Sequence, residues 1–157
     1  MSSVDRLFKL AERFARKISL GQKVAGDFQN ILQAAGLWDK SGEIAPMLNA
    51  VGMPDEAKLD IRILIDSQFN CKYKVTPTTP PIPMPLDPKA VPPPTPEEMA
   101  QNKKDIAAAT AIQRAAAAGS AKLQAMLSAK YGAAMKAALT KAGVSITDTM
   151  ELGWLTF

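Results

Sequence analysis

The spacing of apolar residues along the chain changes several times, and each change marks a boundary between elements. Over residues 3–20, Val4, Leu7, Phe8, Ala11, Phe14, Ala15 and Ile18 recur at intervals of three and four, which predicts an amphipathic helix. Ser2 and Asp5 stand at its start as a variant of the capping box, and Gly21 stands at its end. Three later stretches, Leu32-Gln-Ala-Ala-Gly-Leu37, Leu48-Asn-Ala-Val-Gly-Met53 and Leu139-Thr-Lys-Ala-Gly-Val144, share one signature. In each, a glycine able to adopt left-handed geometry lies between the two apolar positions that meet across a Schellman motif, so each predicts a helix C-terminus. The first two close short helices over 27–35 and 42–51, for which Asp27 and Ser41 are the expected N-caps.

From Lys58 the period falls to two. Leu59, Ile61, Ile63 and Ile65 alternate with Asp60, Arg62, Leu64 and Asp66, and after Ser67-Gln68 the alternation resumes with Phe69, Cys71, Tyr73 and Val75. Two such β-branched and aromatic runs around a polar break predict a β-hairpin over 58–75. The acidic start Pro54-Asp55-Glu56 offers a competing reading, a helix running through Leu64.

Residues 75–96 hold ten of the chain's twelve prolines. A segment with so few backbone donors and so fixed a φ can be neither a helix interior nor a central strand, and reads as an extended connector. In polyproline II geometry it would span on the order of 60 Å. Ile82, Met84, Leu86 and Val91 give it apolar side chains that a solvated linker does not need. Thr95-Pro96-Glu97-Glu98 then combines a threonine cap, a proline at the first helical position and a glutamate closing a capping box. The alanine-rich helix that follows is expected to end or bend at Gly119-Ser120. A second helix carries Leu123, Met126, Leu127, Tyr131, Ala134, Ala138 and Ala142 to Gly143. The expectation is therefore a mainly α protein: an N-terminal helical lobe with a hairpin (1–74), the connector, and an alanine-rich helical hairpin with an apolar tail (97–157).

Composition sharpens the functional reading mainly by exclusion. With no histidine and a single cysteine, Cys71, the chain cannot build a Ser-His-Asp triad, a Cys-His pair, an intrachain disulfide or a zinc site of the usual kinds. No phosphate-binding glycine motif occurs, and Asp60 with Asp66 reads as an ordinary polar strand face rather than a catalytic pair. No catalytic residue, metal, cofactor or small-molecule substrate is expected. Absence of an apolar h-region at the N-terminus and of any long uncharged apolar run argues against Sec-type secretion and a membrane span, and favours the cytoplasm or a particle assembled there.

The net charge of +4 is too small to identify a nucleic-acid binder by itself. Arg6, Lys9, Arg13, Arg16 and Lys17 nevertheless fall within roughly a 100° arc of the first helix. Ile106–Thr147 contains no acidic residue. The first-helix face reads as a solvated surface, with an anionic membrane or nucleic-acid phosphate as its functional alternatives. Apolar residues on the connector, a core rich in alanine and the aromatic tail together call for partner surface. The expected role is a non-enzymatic structural protein, a subunit of a larger homo- or hetero-oligomeric particle such as a phage virion. Ile82, Met84, Leu86, Trp154, Leu155 and Phe157 are its expected partner contacts. A nucleic-acid-binding accessory protein, using the basic helix and the acid-free stretch, is the alternative.

Overall fold

A computed structural model of the chain describes residues 26–157, so the expected helix over 3–20, with Arg6, Lys9, Arg13, Arg16 and Lys17, lies outside the described residues. Helical residues 26–34 (α1) and helix α2 (Ser41–Ala50) are followed by strands β1 (Lys58–Ile65) and β2 (Cys71–Thr78). After the connector come helix α3 (Pro96–Leu127), a π-helical turn (Ser128–Gly132), helix α4 (Ala133–Ala142) and strand β3 (Met150–Thr156). The fold is mixed α/β, not mainly α: the three strands form one antiparallel sheet in the order β2-β1-β3. Residues on both sides of the connector share a single core, which includes Phe28, Leu32, Ile44, Ile61, Ile63, Leu123, Leu127, Met135, Leu139 and Trp154.

The expected elements form where the local signal was strongest. Gly36, Gly52 and Gly143 all take left-handed φ near +72°. The first two complete Schellman motifs, with Leu37 N donating to Leu32 O at 2.8 Å and Met53 N donating to Leu48 O at 2.9 Å. Two caps differ from expectation, since Asp27 lies within the helical residues of α1 rather than ahead of them. Ser41 is the first residue of α2, and the N-cap is Lys40, with no side-chain hydrogen bond. The expected hairpin forms, with Ile61 opposite Val75 and Ile63 opposite Tyr73, while Pro54–Ala57 makes a turn in place of the competing helix. Asp66 organises the hairpin loop, its Oδ1 accepting from the backbone N–H of Gln68 and of Asn70, each at 2.9 Å. Phe69, read as the first residue of the second strand, instead sits in that loop at φ 64°. Its ring packs edge-on against Phe28 at 6.5 Å, which offsets the strain of the backbone.

Two further expectations are corrected, and the second changes the fold class. The expected helical hairpin is instead one continuous rod from Pro96 to Ala142, because Gly119 and Ser120 remain helical. Gly119 is there for close approach: a Cβ at this position would lie 3.2 Å from the Val51 carbonyl oxygen and 3.2 Å from Met53 Cε. The second correction is the tail, which is a strand. Leu59 and Phe157 exchange backbone hydrogen bonds at 2.8 and 2.9 Å, and β3 continues along β1 as far as Ile65 opposite Met150. The register slips between Ile61 and Arg62, which face Leu155 and Gly153, so Trp154 is an additional residue on β3. That bulge brings Leu152 and Trp154 into the core while Leu155 and Phe157 still pack against it.

Pro77 fits within β2 because Leu59, opposite it, directs its own N–H and carbonyl to Phe157. A proline at such a non-hydrogen-bonded position costs the ladder nothing.

Substituting Gly119→Val should destabilise the fold by about 2 kcal/mol, since the added methyls have no room against Val51 and Met53. Ser120 is buried and its hydroxyl has no hydrogen-bond partner. Ser120→Ala should therefore stabilise by about 1 kcal/mol, both changes being read from urea midpoints.

Candidate partner-binding surface

The connector leaves the sheet at Thr78, the residue paired with Lys58, and returns to the protein along the N-terminal part of α3. Prolines 81, 83 and 85 alternate with Ile82, Met84 and Leu86 and keep the segment extended. A single side chain fixes it to the helix. Asn102 Nδ2 donates to Met84 O at 3.0 Å, and Leu86 N donates to Asn102 Oδ1 at 3.1 Å. The amide thus satisfies one acceptor and one donor of the strap at once, as a neighbouring strand would. Asp87 then turns the chain, its carboxylate accepting from Lys89 N at 2.8 Å and its carbonyl from Ala90 N at 3.2 Å. Thr95 caps α3 by accepting from Glu98 N at 3.1 Å, and its hydroxyl donates to the Glu98 carboxylate at 3.2 Å, so the glutamate meets the threonine side chain rather than the backbone N–H that the expected capping box uses.

Two of the strap's apolar side chains are left in solvent, Met84 at 84% exposed and Val91 at 97%, whereas Ile82 at 39% and Leu86 at 38% are more than half covered. Of the buried residues of α3, Ala109 stands apart from the main core, which α3 joins from Ala116 onward. The strap and residues 96–115 therefore form an arm beyond the core, on the order of 30 Å long at 1.5 Å per residue. Met99, Asn102, Ile106 and Ala109 share one stripe of this arm and are less exposed than their neighbours.

The expected contact residues separate into two groups. Ile82, Met84 and Leu86 lie together on the arm. Trp154 is covered by the chain's own core, where its Nε1 donates to Trp38 O at 2.7 Å and its ring meets Tyr73 and Tyr131, both at 5.6 Å. Leu155 and Phe157 are half-buried, and Phe157 lines a hollow with Ala45, Leu48, Asn49, Met53, Pro54, Asp55 and Ala57. At about 240 Å³ the hollow is below the usual range for small-molecule sites of about 300–1,000 Å³, and suits a single side chain. Asp60 and Asp66 do not converge, since Asp60 pairs with Arg62 at 3.2 Å whereas Asp66 caps the loop at the far end of β1. Within the acid-free stretch, Lys130 pairs with Glu43 at 3.5 Å and Lys136 donates to Asn70 Oδ1 at 2.9 Å. Among the described residues no group of acidic or cysteine side chains is placed to hold a metal, and no helix is long and apolar enough to cross a membrane.

Two polar features were not apparent from the pattern. One is Asn102; a lone asparagine on a half-buried helical stripe beside a proline run is the signal that could have found it. The other is Glu43, which accepts from Tyr131 Oη at 2.7 Å and from Lys40 Nζ at 3.1 Å. The Tyr131 hydroxyl, followed by the Lys40 ammonium, lowers its carboxyl to about 2, and the Asn70 side-chain amide lowers that of Asp66 in the same direction. Burial pushes the Cys71 thiol up to about 11, which leaves it protonated and unreactive at neutral pH.

Because the folded Glu43 carboxyl takes up its proton at lower pH than the unfolded one, its contribution is complete above about 4.5 and is lost as pH falls toward about 2. Thermal midpoints should decline through that window, and Glu43→Gln should flatten the decline. Asn102→Ala should release the strap, accelerating amide exchange at Leu86 and proteolysis within 79–90, with the thermal midpoint unchanged because the arm lies outside the core. The chain matches no protein-family model, no curated protein and no solved structure.

Proposed function

We propose that the chain is a non-enzymatic assembly subunit of a larger protein particle, and that the arm formed by the strap and the start of α3 is its partner-binding element. One observation carries this reading: an aliphatic ridge, Ile82-Pro83-Met84-Pro85-Leu86, is fixed on a helix by Asn102 while Met84 at its crest is left in water. Ordering a segment costs roughly 1–2 kcal/mol per residue. A spacer gains nothing from being held rigid with its apolar side chains outward, whereas a docking element gains affinity from the ordering already accomplished. Aliphatic side chains between prolines, with most backbone carbonyls unpaired, suit recognition by another protein rather than by a phosphate backbone or a small metabolite. The site of action is the cytoplasm or a particle assembled there.

The triple variant Ile82→Ser, Met84→Ser, Leu86→Ser should fold with an unchanged thermal midpoint and fail to co-purify with the proteins that accompany the wild-type chain from its native source. Equal recovery of those proteins with the variant would remove the arm from the interface.

A further inference from the structure

We infer that the apolar stripe of residues 3–20 packs, as a helix, into the groove between α1 and α4 of its own chain. The inference is independent of the role proposed for the arm. The groove is lined by Ile31, Ala34 and Ala35 from α1 and by Ala138, Lys141 and Ala142 from α4, and has a volume of about 470 Å³. Ile31 and Ala138 are half-buried and the other lining residues are exposed, so among the described residues nothing covers it. Alanine on both walls lets the backbone of a third helix come close, and removing those methyl groups from water favours the approach.

Reach, shape and charge name the occupant. Residues 3–20 lie outside the described residues and join α1 through residues 21–25, since α1 is described from Gly26. Ala34 and Ala35 lie about 13 Å along α1 from Gly26, and a helix running back antiparallel from Leu20 covers that distance by about Ala11, at 1.5 Å per residue. Ala11 is at the centre of the stripe, with Phe8 and Phe14 on either side, so small residues meet small residues where the helices come closest. Asp5 and Glu12 both fall on the Phe8 edge of the stripe. Lys141 is the only charged residue lining the groove and forms no ion pair among the described residues, and the other charge on α4 is also a cation, Lys136. An acidic edge is therefore drawn to the groove, while Arg6, Lys9, Arg13, Arg16 and Lys17 turn to solvent. Seated this way, the segment withholds its stripe from a lipid surface and from other chains.

The test uses the full chain. Residues 3–20 should exchange their amides slowly and resist trypsin at Arg13, Arg16 and Lys17. Ala34→Glu or Ala142→Glu, each at an exposed position of the groove, should raise both rates by about tenfold or more, and so should Leu7→Ser with Phe14→Ser. Glu12→Lys and Lys141→Glu should each raise them by about threefold, and the two together should return them to the wild-type values. Under mild oxidation, Ala11→Cys with Ala34→Cys in one chain should give an intrachain disulfide whose yield does not depend on concentration. Arg13→Cys with Ala34→Cys, on the opposite arc of the helix, should give none; native Cys71 is buried and stays silent. Cleavage rates equal in the wild type and every variant, or a disulfide yield no greater than the Arg13→Cys control, would overturn the inference. So would cross-links formed only between chains, which give the groove to a second copy, or protection from trypsin that arises only on vesicles of anionic lipid, which gives the stripe to a membrane.

Discussion

Strand β1 must be paired along both edges, and the rest of the molecule is arranged to meet that requirement. Its inward residues Leu59, Ile61, Ile63 and Ile65 are each almost wholly buried, so the backbone between them cannot turn to water for hydrogen bonds. The hairpin supplies β2 on one side at little entropic cost, because the loop is short. The other side is filled from the opposite end of the sequence by β3. That long-range pairing places the α3–α4 rod against the sheet and gives its alanine-rich face an interior to join. A helix whose core residues include Ala116, Leu123, Leu127 and Leu139 buries too little area to be stable alone, but it suffices as one layer over three strands.

The helical layer conforms to the sheet through two local adjustments. Gly119 removes a side chain where α3 passes the α2 C-terminus, so that Val51 and Met53 can approach the helix backbone. Farther along, the π turn over Ser128–Gly132 resets the helical phase, and Tyr131 within it is buried against Trp154 with its hydroxyl on Glu43. The free edge of β2 meets the same rod: Val75 N, which points away from β1, donates to Gln124 Oε1 at 3.0 Å. One helix therefore covers a sheet face and blunts a sheet edge, which limits where strand augmentation can occur.

Features set within a few residues were legible in the sequence, and features set by distant partners were not. The three glycine helix stops, the hairpin and the Thr95 cap depend on contacts spanning six residues or fewer, or on simple alternation, and all appear where the pattern places them. The tail reads as an apolar anchor because the bulge at Trp154 splits its alternation into two short runs, Met150-Leu152-Trp154 and Leu155-Phe157, that are out of phase with each other. Gly119-Ser120 reads as a helix break because local propensity disfavours glycine and serine in mid-helix; the compensating contact comes from residues some seventy positions earlier. For the surface, the aliphatic residues between the prolines were visible, but the asparagine that turns a linker into a fixed ridge was not. Trp154 was misplaced for the same reason as the tail, since nothing local announces that Trp38 O awaits its indole N–H.

The contrast between Trp154 and Met84 then bears on where this molecule meets others. Both are large apolar residues outside the regular hydrophobic pattern, and water disfavours exposing either. The fold invests a bulge, a hydrogen bond and two aromatic contacts in withdrawing Trp154. For Met84 it does the reverse, anchoring the backbone on both sides of Pro85 while leaving the side chain 84% exposed. An anchor of this kind removes the freedom a linker would use to fold its apolar residues onto the nearest surface. Holding such a ridge outward lowers the entropy that a partner must overcome on docking, which gives the arm a use that neither a spacer nor a solvated loop would have.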